Sequence, residues 1–237
     1  MLLSKEKIKK VADFFLDILF PPICLNCRSS LPSQKLLLCP LCFELLEINS
    51  FLHCPECGQR IVNLKFSCPH QAPFFLAAAS NYFPPIPALI HYFKYKKLEG
   101  ISDFLSALLI VYLKRIDLNL SSFYITYIPL YWIKEKQRGF NQAQILAEKI
   151  ANYFSLPLLR TLKRIKNTPS QAKSKNFQER QKNIANCFLP INPSEIKGKN
   201  FILIDDIYTS GSTIKEAVKV LKENGAKKII ALVVAKA

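Results

Sequence analysis

The sequence predicts an α/β fold with a mostly parallel sheet, preceded by a small cysteine-rich module. Short apolar stretches alternate with longer amphipathic ones over residues 73–237. Strands that alternate with helices pair in parallel through right-handed crossovers. Seven of the eight cysteines and two of the three histidines fall in residues 23–72, and residues 73–237 hold only Cys187. The chain has 237 residues, half of them hydrophobic, which is enough for one medium domain plus a module.

Residues 1–22 read as an amphipathic helix. Ile8, Val11, Phe15, Ile18 and Leu19 have helical spacing, lysines crowd the start, and Pro21 and Pro22 stop it. Asp13 and Asp17 interrupt the apolar run and no small-residue cleavage site follows, which argues against a secretion signal. No run is long and clean enough to span a bilayer, so a reducing, cytoplasmic setting is expected. Beyond the cysteines, strands are expected over 77–83, 123–129, 201–204 and 229–234. Helices are expected over 88–96, 103–114, 141–154 and 213–223. The last of these has an apolar stripe at Ile214, Ala217, Val218 and Leu221 and a stop at Asn224–Gly225. Residues 160–199 are polar and basic, with few periodic cues. Cys187 reads as a core residue, and Tyr131 and Trp132 as packing aromatics.

The cysteines are spaced as metal ligands. Cys24-x2-Cys27 and Cys39-x2-Cys42 are separated by eleven residues. Each C-x2-C turn presents two thiolates from one knuckle, and two knuckles close a tetrahedral Zn²⁺ site with no open position. In a reducing compartment metal is preferred over disulfides. A second set consists of Cys54-x2-Cys57 and, ten residues on, Cys68-x-His70. Its last ligand is open between His70 and His53; alternatively Cys68 is a buried thiol and the chain holds a single ion. Pro40, Pro55 and Gly58 stand where knuckle turns need turn residues.

The segment 201–213, FILIDDIYTSGST, carries the most chemistry. A buried strand delivers Asp205 and Asp206 to its C-terminal end, where ligands of open α/β sheets bind. A hydroxyl-rich loop with one glycine then opens into a helix. Gly211 permits positive φ and close approach. Backbone amides at the helix start, with the hydroxyls of Thr209, Ser210, Ser212 and Thr213, suit a phosphate. Adjacent carboxylates repel phosphate but accept hydrogen bonds from two ribose hydroxyls, so a ribose 5-phosphate fits acids and loop together.

Thirty-three Lys and Arg against 17 Asp and Glu give a net charge of +16. That excess favours polyanionic partners: phosphorylated metabolites, nucleic acid or anionic membrane. Residues 160–199 contribute ten Lys or Arg against two Glu. Arg138, beside Gly139 between a strand and a helix, suits bidentate phosphate binding. Lys94, Lys96 and Lys97 alternate with Tyr92, Phe93 and Tyr95, a pattern that suits charge plus stacking on a nucleic acid strand.

The 201–213 segment resembles the signature of type I phosphoribosyltransferases. With Ile128-Pro-Leu, Arg138-Gly-Phe-Asn-Gln142, Thr168-x-x-Gln171, Arg180-x-x-Asn183, Phe93-Lys-Tyr-Lys-Lys97 and the paired zinc knuckles, the whole chain resembles the ComF/GntX family. The resemblance implies a Rossmann-like fold behind a double zinc ribbon and Mg²⁺ carried with 5-phosphoribosyl-1-pyrophosphate (PRPP). It implies a mobile loop over the site, to which the 160–199 stretch corresponds. It places the ribose on Asp205 and Asp206 and the 5-phosphate on Thr209 to Thr213; Arg138, Gly139, Lys96 and Arg180 are expected, from their own chemistry, to meet pyrophosphate or nucleic-acid phosphate. The family more often has another C-x2-C where this chain has Cys68-x-His70. The resemblance further implies handling of single-stranded DNA in natural competence, a helicase partner, and a cytoplasmic place at the inner membrane surface. The competing expectation is an active phosphoribosyltransferase that releases pyrophosphate to an unidentified acceptor.

Overall fold

The structure, a computed structural model, describes residues 21–61, 64, 68–95, 100–167 and 184–237. The helix expected over 1–22 lies outside them except for Pro21 and Pro22, as do Lys96, Lys97, Thr168, Gln171, Arg180 and Asn183. The chain divides into two compact units. One lies within Met1–Glu47 and Phe83–Ile101, the other within Ile48–Tyr82 and Ser102–Ala237. This division runs through the cysteine-rich stretch: Cys24 to Cys42 fall in the first unit, Cys54 to His70 in the second.

The first unit contains helices α1 (Pro40–Glu44) and α2 (Ile86–Tyr95). In α2, Ile86, Leu89, Ile90 and Phe93 recur at helical spacing and all are buried. The Arg28 guanidinium sits over the Tyr92 ring, 5.5 Å from its centroid, a cation–π contact.

The second unit is built on strands β1 (Leu52–His53), β2 (Arg60–Ile61), β3 (Phe75–Asn81), β4 (Phe123–Tyr127), β5 (Leu162–Arg164), β6 (Phe188–Pro190), β7 (Asn200–Tyr208) and β8 (Ile229–Lys236). Its helices are α3 (Ile101–Arg115, whose first residue belongs to the other unit), α4 (Trp132–Arg138), α5 (Gln142–Phe154), α6 (Pro193–Ile196) and α7 (Ser212–Glu223). Six strands form one sheet in the order β2-β1-β3-β8-β7-β4, and β5 and β6 form a separate antiparallel pair. The four strands from β3 to β4 run parallel, so the expected α/β architecture is present. The β1–β2 hairpin extends its edge antiparallel.

Burial explains the composition of the central strands. Phe201 to Ile204 and Ile230 to Ala235 are wholly inaccessible. A parallel sheet covered on both faces gives continuous apolar runs rather than alternation. The α7 stripe of Ile214, Ala217, Val218 and Leu221 packs into one cluster with Phe201, Leu203, Ala231, Val233, Cys187 and Phe188. Each such aliphatic or aromatic burial stabilises by about 1.5–3 kcal/mol. Cys187 is thus a core residue, and burial pushes its thiol up to about 11.

Three departures from the expected elements bear on function. β7 does not stop at 204 but runs on through Asp205 and Asp206 to Tyr208. Its pairing with β4 ends at Ile204↔Tyr127, whereas its pairing with β8 continues to Tyr208↔Lys236. The acids therefore stand inside the strand, along the stretch that β4 no longer flanks. The 160–199 stretch contains the β5–β6 ribbon and the short α6, and helix α4 follows β4; none of these has enough periodic residues to show in sequence.

Candidate functional site

Both cysteine groups assemble. In each of the sets Cys24, Cys27, Cys39, Cys42 and Cys54, Cys57, Cys68, His70, one ligand atom per residue lies within 4.8 Å of every other. A tetrahedral Zn²⁺ with Zn–S bonds of about 2.3 Å fits such a spacing. The turns are the same. Arg28 N–H donates to the Cys24 carbonyl (3.0 Å) and Gly58 N–H to the Cys54 carbonyl (2.9 Å). Both residues have positive φ, 67° and 73°. Glycine takes this conformation at no steric cost; Arg28 takes it strained, with its head on Tyr92.

The electrostatics also suit a cation. Burial alone would raise the Cys24 thiol, but the backbone amides of Cys27, Cys39 and Asn26 outweigh it and lower the pKa. Cys54 behaves likewise, lowered against burial by the amides of Cys57 and Glu56. The Asn26 amide, 3.3 Å from the Cys42 sulfur, favours its thiolate. Burial and the three neighbouring sulfurs win, and Cys42 is pushed up to about 12. Four adjacent sulfurs resist full ionisation unless a cation sits between them. His53, the rival ligand, stays out of the second group. It is buried, and its Nδ1 faces the Gly58 carbonyl at 3.1 Å, so Nδ1–H donates there.

At the end of β7, Asp206 is buried and its N–H donates to the Asp205 carboxylate (2.9 Å). Gly211 has φ 72° and stands at the N-cap of α7, where it offers no side chain; the Ser212 N–H reaches the Ser210 hydroxyl at 3.5 Å. Ser210 and Ser212 share a hydroxyl hydrogen bond of 2.9 Å. Tyr208 is buried and its hydroxyl donates to the Pro55 carbonyl (3.2 Å). Burial, with Glu56 and Cys54 nearby, pushes that phenol up to about 12, so it remains a donor at neutral pH.

Beyond β4, Asn141 organises the Arg138–Gln142 motif. Its buried side chain accepts from the Ala143 N–H (3.0 Å), capping α5, and donates to the Ile128 carbonyl (3.0 Å). Gly139 has φ 81° and closes α4, its N–H bonded to the Glu135 carbonyl. Arg138 donates to the Gln142 side chain at 3.1 Å. The glycine's local task is thus a helix C-cap.

Two cations unmarked by sequence join this region. Burial, with the positive charges of Arg164 and Arg138, pulls Lys134 down to about 8. Arg164 on β5 is pulled down by burial and up by Cys187 and Asp205. Lys134 thus feels the charges of Arg164 and Arg138, and Arg164 feels that of Asp205. Lys134 sits on a helix too short to recognise from periodicity, and Arg164 is brought in by a ribbon whose strands are far apart in sequence. Trp132, expected to pack, is 62% exposed. Phe93 is buried and Tyr95 exposed, so the aromatics among the 92–97 lysines are split between core and surface.

Residues 136–237 match the family described as Phosphoribosyl transferase domain, and residues 15–71 match Double zinc ribbon domain. Competence protein F of Haemophilus influenzae is 30% identical over 217 residues, 87% of this chain and 93% of that one. DNA utilization protein YhgH of Salmonella typhimurium is 28% identical over 218 residues, with the same coverage of each chain. Competence protein ComFC of Bacillus subtilis is 28% identical over 208 residues, 86% of this chain and 79% of that one. With a double zinc ribbon ahead of a type I phosphoribosyltransferase-like sheet, the chain belongs to the family of Competence protein F and ComFC.

Proposed function

We propose that the protein binds PRPP with Mg²⁺ at the end of β7 and handles single-stranded DNA during natural transformation. One observation carries the PRPP reading: β7 runs on past its last pair with β4, beginning with the two acids, and then enters a hydroxyl loop and a helix whose N-cap is Gly211. Asp205 and Asp206 accept from the ribose hydroxyls. Thr209, Ser210, Gly211, Ser212 and Thr213, with the amides at the start of α7, take the 5-phosphate. Lys134, Arg138 and Arg164 neutralise the pyrophosphate. Cys24, Cys27, Cys39 and Cys42 hold one structural zinc, and Cys54, Cys57, Cys68 and His70 a second.

The DNA reading rests on the net charge of +16 and on the names of the relatives, two competence proteins and a DNA utilization protein. Gly139, Lys96 and Arg180 are proposed phosphate contacts from sequence alone, and a helicase partner at the inner membrane surface from family likeness alone. Among the described residues no helix is long and apolar enough to cross a membrane. A second reading, turnover of PRPP, is favoured by the match to a phosphoribosyltransferase domain. Pyrophosphate release, assayed with single-stranded DNA and with free bases, separates the two.

Freshly purified, reduced protein is expected to carry two zinc ions per chain by elemental mass spectrometry. Cys27→Ser is expected to leave one and to lower stability by several kcal/mol, because structural zinc contributes folding free energy directly. PRPP with Mg²⁺ is expected to raise the melting temperature by mass action. Asp205→Ala with Asp206→Ala removes that shift and leaves the unliganded melting point within a few degrees.

Lys134 gives a pH dependence. Its folded pKa lies below its unfolded value of about 10.4, so through this group the unliganded protein gains stability as pH rises from about 8 to 10.4. A pyrophosphate ligand favours the ammonium form, so its affinity falls over that same interval. Calorimetry at about pH 8 in buffers of different ionisation enthalpy is expected to show proton uptake on binding, lost in Lys134→Met.

Affinity for single-stranded DNA is expected to fall with salt, by about 0.7 log units per contacted phosphate for each tenfold rise. Arg138→Gln and Lys96→Gln each flatten the slope by about one contact. A slope near zero refutes phosphate recognition.

A further inference from the structure

The second cysteine knuckle and the hydroxyl loop are far apart in sequence yet bonded to one another. Pro55 and Glu56 are the two residues between Cys54 and Cys57, and they reach opposite ends of the loop. The Pro55 carbonyl accepts from the Tyr208 hydroxyl at 3.2 Å, 153 residues away. Glu56 pairs with Lys215 at 3.0 Å. Tyr208 precedes the loop and Lys215 follows it in the first turn of α7, where its own N–H donates to the Gly211 carbonyl (2.8 Å).

The Tyr208 ring also shapes the loop directly. A Cβ added at Gly211 would stand 2.7 Å from the ring's Cε2, closer than side-chain atoms tolerate. The ring therefore fills the space under Gly211, held there by its hydroxyl. The knuckle itself is fixed twice. The β1–β2 hairpin ties it to the sheet, and the Cys54, Cys57, Cys68 and His70 group closes it when metal is bound.

We propose that this knuckle is a positioning element for the loop: closed on zinc, it fixes the Pro55 carbonyl and the Glu56 carboxylate, which through Tyr208 and Lys215 hold residues 209–212 in their phosphate-receiving shape. The inference rests on the PRPP reading for its ligand but not for the coupling itself. The exposed Glu56–Lys215 pair contributes little alone; the buried Tyr208 hydrogen bond carries most of the effect. Coupling is reciprocal, so a ligand that orders the loop also retards loss of the second zinc.

The test uses the full-length zinc-loaded chain and three variants. Tyr208→Phe removes one hydroxyl and keeps the ring. His70→Ala opens the second metal group. Asn200→Ala removes a hydrogen bond to the Lys228 N–H at the opposite end of β7 and serves as the control. Hydrogen exchange of amides 209–214 is expected to quicken in the first two and not in the control. Titration with Mg²⁺-PRPP is expected to show about three- to tenfold weaker binding in Tyr208→Phe and in His70→Ala. Their double variant is expected to be less than additive, since both act through one contact. Mg²⁺-PRPP is expected to slow zinc transfer to a chromogenic chelator in the wild type and not in Tyr208→Phe. Unchanged exchange at 209–214 in both variants overturns the coupling, as does fully additive loss in the double variant. If the wild type binds no PRPP, the ligand reading fails, while the exchange measurements still decide whether the knuckle holds the loop.

Discussion

The constraint on which the rest depends is the unequal flanking of β7. Over Phe201–Ile204 it is paired on both sides, with β4 and with β8, and its side chains are buried. Beyond Ile204 only the β8 side continues. The chain leaves β4 with the Ile128 N–H still bonded to the Ile204 carbonyl, and Pro129 cannot extend the ladder because it has no N–H. A strand buried on both faces and paired on both edges has no room for carboxylates; one whose neighbour turns away does. The site is where a topological rule of open α/β sheets places it, and the local cause is the length of β4.

Much of this was legible. Apolar runs flanked by amphipathic segments gave the parallel sheet, because sidedness follows from burial on two faces. The cysteine spacing gave both metal groups, because zinc imposes ligand number and a knuckle imposes a spacing of two. Asp205, Asp206 and Gly211 were visible because acids, hydroxyls and a glycine in that order have few other uses. What stayed hidden is what long-range pairing decides. Arg164, which feels the charge of Asp205, lies on a three-residue strand whose partner is far away in sequence. Lys134 belongs to a helix of under two turns. His70 had His53 as a rival in sequence, and it is the Gly58 carbonyl, facing Nδ1 of His53, that separates them. Tyr208 carried no signal of its own, because its partner, the Pro55 carbonyl, lies in a different part of the chain.

The two knuckles show how one turn geometry is met by different residues. Both need a left-handed residue after the second cysteine. Gly58 has no steric cost there, and a side chain at that position would come within 3.1 Å of the Lys236 ammonium, so the space beside it is taken. Arg28 accepts the strain and gains the Tyr92 ring. The first knuckle is thus tied to its helix through a side chain, the second to its sheet through backbone and the Pro55 carbonyl.

The order of strands has a consequence for biosynthesis. β8 occupies the middle of the parallel sheet, between β3 and β7, yet it is translated after every other strand. Until it leaves the ribosome, β3 has no parallel partner, and the apolar faces of β3 and β7 wait without the strand that joins them. Pairings so distant in sequence form slowly and expose sticky edges meanwhile. A ribosome stalled before residue 229 would hold a nascent chain whose cysteine turns are complete and whose sheet cannot close, a natural substrate for holding chaperones.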